Sequence, residues 1–193
     1  MILNKFLGKG QIMRRDDEQT IVEVVLYILG KTKGLDMYHL FKVMYFAERA
    51  YLAKYGRKMT EEDYYALRWG PVPSHLYDAV KEQGDAHTSL GMMLWDNVKS
   101  GDEIAKNYLF AKREYDRDLL PEAAIDVLSE AVSKYAYMPF SDLLRLSHDM
   151  DWRRAMDRTP HLIDPIDTAK VGGADDATID YLREDLEWNK AFN

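Results

Sequence analysis

Between Thr20 and Gly30 the apolar residues fall at Ile21, Val24, Val25, Ile28 and Leu29, the spacing of one helix face. Thr20-Ile-Val-Glu23 has the spacing of a capping box and predicts where that helix begins. Lys31 to Gly34 reads as a turn. Asp36 can cap a second helix running to about Tyr55, and Gly56 ends it. Leu40, Phe41, Val43, Met44, Tyr45, Phe46, Ala47, Tyr51 and Leu52 leave this second helix little polar surface, so it belongs in the middle of the fold. Residues 1–16 read as an extension with weak structure.

The period then changes. Tyr65, Leu67 and Trp69 alternate with Ala66 and Arg68, as in a half-buried strand. Gly70 allows a sharp turn, and Pro71 and Pro73 stiffen the exit from it. Ser74 stands where a helix could begin, with Leu76, Tyr77 and Val80 beyond it and Gly84 as its stop. The pattern is a strand joined to a helix by a stiff corner, with an aromatic residue on each side. No catalytic chemistry needs that spacing, whereas shape does, so it points to a binding protein.

Residues 85–107 are polar and irregular apart from Leu90-Gly-Met-Met-Leu-Trp95, which fits a short helix or strand. Tyr108 to Tyr115 reads as a strand that could pair with residues 64–69. Pro121 suits the first turn of a helix carrying Ile125, Leu128, Val132 and Tyr135. Ser141 can cap the next, along which lie Leu143, Leu144, Leu146 and Trp152. Thr159 to Asp176 holds Pro160, Pro165, Gly172 and Gly173 and reads as a connector. A last amphipathic helix spans about Ala177 to Phe192, with Ile179, Leu182 and Leu186 on one face.

Composition narrows the classes. The chain has 193 residues, 47% apolar and 31% charged, enough for one globular domain with a sizeable core. Its net charge of −7 argues against general affinity for nucleic-acid phosphates. With no cysteine, disulfides, thiolate zinc sites and cysteine nucleophiles are excluded, which fits a reducing cytoplasm. No stretch of about 18 apolar residues could span a membrane, and Met1 to Gly10 lacks a secretory apolar region.

Each candidate for chemistry has a plainer reading. Gly30-Lys31-Thr32 lacks the first glycine of a phosphate loop and follows a helix where that motif requires a strand. His148, Asp149 and Asp151 are close in sequence, but one such cluster does not make the three or four converging ligands of a zinc site. His148 reads instead as a hydrogen-bonded residue near a helix end, its charge suited to the local dipole. Ser74 and His75 adjoin without an evident orienting acid. Asp16-Asp17-Glu18 and Glu61-Glu62-Asp63 suit solvated faces and helix N-termini, or a basic partner. Tyr38, Tyr45, Tyr51, Tyr64, Tyr65, Trp69, Tyr77 and Trp152 are mostly core, with two or three expected as exposed anchors.

The order of four motifs resembles the Panacea domain family of SocA-like antitoxins, formerly described as phage-associated proteins. Phe41-Lys-Val-Met-Tyr-Phe-Ala-Glu-Arg49 is similar to the family's Lys-Leu-Leu-Tyr-Leu-Ala pattern. Tyr55-Gly56-Arg57 follows, then Ala66-Leu-Arg-Trp-Gly-Pro-Val-Pro-Ser74 with Leu76-Tyr77. Leu146-Ser147-His148 with Trp152 resembles the family's Leu-Thr-His and its tryptophan, serine replacing threonine. The likeness covers roughly residues 20–156. It implies a mainly α (α+β) fold, a compact helical domain with a small antiparallel β-sheet. It also implies an antitoxin that neutralises a cognate bacterial or phage toxin by protein contact, with a protease-adaptor role as a further option.

The resulting expectations are specific. Residues 1–16 form an extension, 17–156 the domain, and 157–193 a connector with its helix. Tyr45, Trp69, Gly70, Pro71, Pro73, Tyr77, His148 and Trp152 form the binding set. Trp69 is the packing anchor, Pro71 and Pro73 preorganise the loop, and His148 bonds to that loop or an adjacent helix. The partner is a cognate protein toxin, with a protease or chaperone as a second option. An acidic surface would favour a basic toxin. No catalytic residue, metal, cofactor or membrane is expected. Two rivals stand beside this reading. One is a nucleic-acid-binding regulator using the first two helices as a helix-turn-helix. The other is a metal-assisted hydrolase built on His148, Asp149 and Asp151.

Overall fold

The computed structural model describes residues 13–83 and 87–192. Among them run α1 (Arg15–Thr32), β1 (Leu35–Asp36), α2 (Met37–Tyr55), β2 (Tyr64–Leu67), β3 (Gly70–Pro73) and α3 (Ser74–Lys81). Then come α4 (Ser89–Asn97), β4 (Val98–Ser100), β5 (Tyr108–Ala111), α5 (Glu122–Tyr135), α6 (Phe140–Ser147), α7 (Met150–Met156), α8 (Pro165–Val171) and α9 (Asp176–Phe192). The fold is mainly α, with two small antiparallel sheets.

α2 is the centre, with α1, α5, α8, α9 and β3 packed around it. The Asp36 side chain accepts from His39 N–H at 3.1 Å and caps its start. Gly56 ends it at φ 62°, where its N–H bonds the Leu52 carbonyl. Of its residues only Ala50 and Lys54 are exposed, as its nearly continuous apolar pattern requires.

α1 is almost as deeply buried, from Ile21 to Leu29. It begins at Arg15, more than a turn before the predicted capping box, so residues 15 and 16 are helical. The Thr20 hydroxyl bonds the Asp16 carbonyl inside the helix and caps nothing. Asp16, Asp17 and Glu18 fill the first turn, where negative charge complements the helix dipole. Glu23 is fully buried and stays tolerable because Arg113 grips its carboxylate at 2.5 and 3.0 Å while Asp116 N–H adds 2.7 Å.

Three predicted features change. Gly70-Pro-Val-Pro73 is a strand, not a corner. It folds back on β2 with Leu67 opposite Gly70 and Tyr64 opposite Pro73, and Arg68-Trp69 make the turn. The prolines survive there because β3 pairs only with β2. β5 pairs with β1 and β4, not with residues 64–69. The other edge of β2 is instead taken by the chain at Leu162, through Ala66 N–H to the His161 carbonyl and Ile163 N–H to the Tyr64 carbonyl, both 2.8 Å. The predicted connector contains α8, capped by Asp164 with Pro165 in its first turn. The predicted helix stop at Gly84 lies outside the described residues.

α9 docks on its own chain. Ile179 and Leu182 pack with Leu52 of α2 and Ala169 of α8, as the spacing of its apolar face requires.

Candidate functional site

The β2–β3 hairpin has a tip, at Leu67–Gly70, and a base, at Tyr64 and Pro73. Most of the predicted binding set gathers at the tip. Gly70 has φ 93°, a backbone region that disfavours side chains. A Cβ there would lie 2.5 Å from Ser147 Oγ and 2.9 Å from Lys42 Cε, so the end of α6 and the middle of α2 press directly on this glycine. The Trp152 indole N–H donates to the Leu67 carbonyl at 3.0 Å and ties α7 to the tip. The Lys42 ammonium donates to the Pro71 carbonyl at 2.7 Å. The turn is therefore pinned from α2, α6 and α7 at once.

On this support Trp69 remains 50% exposed. Its ring meets Phe140, 46% exposed, edge-on at 5.9 Å, and Arg68 lies 4.8 Å over it. Phe140 rests on Tyr38 at 4.6 Å. Met150, at the start of α7, is also exposed.

His148 stacks flat on Trp152, the rings 3.8 Å apart and 5° from parallel. Its predicted hydrogen bond to the loop or a neighbouring helix does not form: buried Nε2 has no partner among the described residues. Burial, then the nearby charges of Lys42 and Arg153, push its pKa below the usual value. The neutral imidazole is favoured, so the predicted charge–dipole role is not met; stacking is what the site uses.

Tyr45 is wholly buried and donates its hydroxyl to Asp151, so it supports the site from below and cannot reach a partner. Pro73 lies at the base and precedes α3. Tyr77 is half-buried on α3, against Phe41 and under the Lys81 ammonium at 3.9 Å, away from the tip. Tyr45, Trp69, Gly70, Pro71, His148 and Trp152 thus belong to one cluster, and Pro73 and Tyr77 do not.

Sequence reasoning missed Lys42, Phe140 and Ser147. Lys42 could have been found, since it is a single charge inside the apolar run Leu40-Phe41-Lys42-Val43-Met44. It is 1% exposed, lies 4.8 Å from the centre of the Tyr38 ring, and has no carboxylate within ion-pair distance among the described residues. Burial pulls its pKa down to about 7. Ser147 stood out only as part of the Leu146-Ser147-His148 motif, with no sign of its contact to Gly70, and Phe140 gave no signal, because only the hairpin's return brings it there.

At the base the chemistry differs. Glu62 is buried and accepts from the N–H groups of His75 and Leu76, both at 3.1 Å, capping α3 in place of Ser74. It also holds His75 Nδ1 at 2.6 Å, an orienting acid that the sequence did not reveal. Burial is the largest single influence and works against the charged imidazole, but the Glu62 hydrogen bond and the negative charges of Glu62 and Asp63 together outweigh it and raise the His75 pKa. That favours the protonated form, a poor general base, and Ser74 Oγ has no partner among the described residues. Nor does any group of three His, Asp or Glu among the described residues form a metal cluster.

The family model for the SocA-like antitoxin, Panacea domain, matches residues 40–153, more than half of the chain. The chain belongs to this family. Comparisons with curated proteins and with solved structures give no match. The matched span holds every residue of the tip cluster except Tyr38, while α8 and α9 lie beyond it. Among the described residues no helix is long and apolar enough to cross a membrane.

Proposed function

We propose that this antitoxin-family chain is a binding protein that neutralises a cognate protein toxin by direct contact, seating it on the hairpin tip and the α6–α7 junction. One observation carries the reading. Trp69, on a turn held by hydrogen bonds and close packing from three helices, and Phe140, at the start of α6, stay about half exposed and touch each other. Exposed aromatic pairs on rigid supports are the usual anchors of protein interfaces, because little ordering entropy is lost on docking.

The helix-turn-helix alternative fares worse. Its would-be recognition helix, α2, exposes only Ala50 and Lys54 and has no face to lay in a groove. For hydrolysis, two hydroxyls near the proposed His148 site are already committed as donors. The Ser147 hydroxyl donates to the Leu144 carbonyl, and Tyr45 donates to Asp151.

Co-expression with the adjacent reading frame tests the reading. A neighbour that arrests growth alone, is rescued by the wild-type chain, and is not rescued by a folded Trp69→Ala variant supports it. Full rescue by Trp69→Ala overturns it.

A further inference from the structure

The exposed guanidiniums beside Trp69 are opposite in sign to the net charge of the molecule. The chain as a whole is −7. At the tip Arg68 lies over the Trp69 ring, Arg153 of α7 donates through Nε to the His148 carbonyl, and Lys42 is buried against the Pro71 carbonyl. Asp142, Asp149 and Asp151 of the neighbouring α6–α7 region are already engaged: Asp142 with Arg145 at 3.6 Å, Asp149 with Arg49 at 3.5 Å, and Asp151 with Tyr45 and the Trp152 backbone N–H. Arg68, Arg153 and Lys42 have no carboxylate partner among the described residues. Two further buried atoms facing this group, Tyr38 Oη and His148 Nε2, also lack partners there.

We infer that the toxin segment seated on this face is acidic, with carboxylate side chains interleaved among apolar ones. This rests on the docking reading above and replaces the basic toxin that net charge alone suggests. The apolar side chains meet Trp69, Phe140 and Met150. The carboxylates meet the guanidiniums of Arg68 and Arg153, which offer planar donor pairs that a carboxylate can bridge. Lys42, buried with one carbonyl partner, would regain its disfavoured charge when a carboxylate docks nearby. Nucleic-acid phosphate could meet the same arginines, but the surrounding net charge opposes a long polyanion and the exposed apolar surface suits a protein segment better.

The test uses the whole chain and two fluorescein-labelled peptides that share Leu and Phe positions, one with Glu and one with Lys at all the others. Fluorescence anisotropy reads affinity for the wild type, Trp69→Ala, and the double variant Arg68→Glu, Arg153→Glu, with circular dichroism confirming that each is folded. The acidic peptide should bind about tenfold more tightly than the basic one, although the chain is itself acidic. Trp69→Ala should abolish binding of the acidic peptide, and the double reversal should invert the preference. Preference for the basic peptide, no measurable binding of either, retention of acidic binding by Trp69→Ala, or tighter binding of a labelled DNA duplex at the same arginines overturns the inference. The docking reading fails separately. If Trp69→Ala loses toxin rescue while the double reversal keeps it, the face still binds the toxin and only its acidic character is wrong.

Discussion

The two ends of one hairpin handle buried charge in opposite ways. At the base, Glu62 accepts two backbone N–H groups and His75 Nδ1. Nearby Glu48 accepts from the Met59 and Thr60 N–H groups at 2.9 and 3.2 Å and from the Thr60 hydroxyl at 3.0 Å. At the tip, Lys42 has a single carbonyl and no carboxylate partner among the described residues, and an exposed aromatic pair stands on the same part of the hairpin. A charge wrapped in backbone donors fixes where the chain goes. A charge left under-paired near exposed rings costs stability and is better explained by something that arrives later. The base, on this view, holds the fold, and the tip is kept ready for a partner.

Damage to the base should unfold the protein. Glu62→Ala strands two N–H groups and the His75 ring, so a loss of about 3 kcal/mol is expected by denaturant titration. A loss below about 0.5 kcal/mol would remove the contrast between the two ends. Gly70→Ala probes how the tip is pinned. The positive φ and the approach of Ser147 and Lys42 should together cost about 2 kcal/mol, read as a fall in denaturation midpoint.

Stability against pH should show the two ends as opposite slopes. Burial pushes the Glu48 carboxyl from 4.5 up to about 7. Between those values the folded state holds a proton that the unfolded chain has released, so stability falls as pH rises. Lys42 goes from 10.5 down to about 7, so between 7 and 10.5 the unfolded chain holds the extra proton and stability rises with pH. Each slope is at most about 1.4 kcal/mol per pH unit. Glu48→Gln should flatten the acid limb alone and Lys42→Met the alkaline limb alone. An alkaline slope unchanged in Lys42→Met would show that this lysine titrates normally.

The smallest effect on folding belongs to the residue most important for binding. Trp69→Ala should change stability by less than about 1 kcal/mol, since half of the ring is already in water. The same variant should lose toxin affinity by at least about tenfold, in the range of an interface anchor.

Which of these features the sequence could reveal follows from their range. The cap at Asp36, the stop at Gly56, the buried α2 and the apolar face of α9 are local patterns, and they stand as read. The Trp69–Pro73 segment was visible as something special, because aromatics, glycine and two prolines crowd into a few residues. Its return as β3 was not visible, since two prolines argue against a strand until an edge position is known. Non-local pairings stayed hidden for the same reason. By pattern β5 could pair with residues 64–69, and only the three-dimensional packing reveals β1 and β4 as its partners. The role of His148 was misjudged because its position near a helix end says nothing about the Trp152 ring beneath it or the Lys42 charge nearby. The pairing of Glu62 with His75 spans residues that no periodicity connects.

Hydrogen exchange on the chain, alone and bound to its toxin, tests the seat of binding most directly. New protection is expected at residues 67–71, at the start of α6 and across 147–152, with the base and α9 unchanged. Protection confined to α9 or to residues 98–111, with the hairpin tip exchanging as in the free chain, would contradict it.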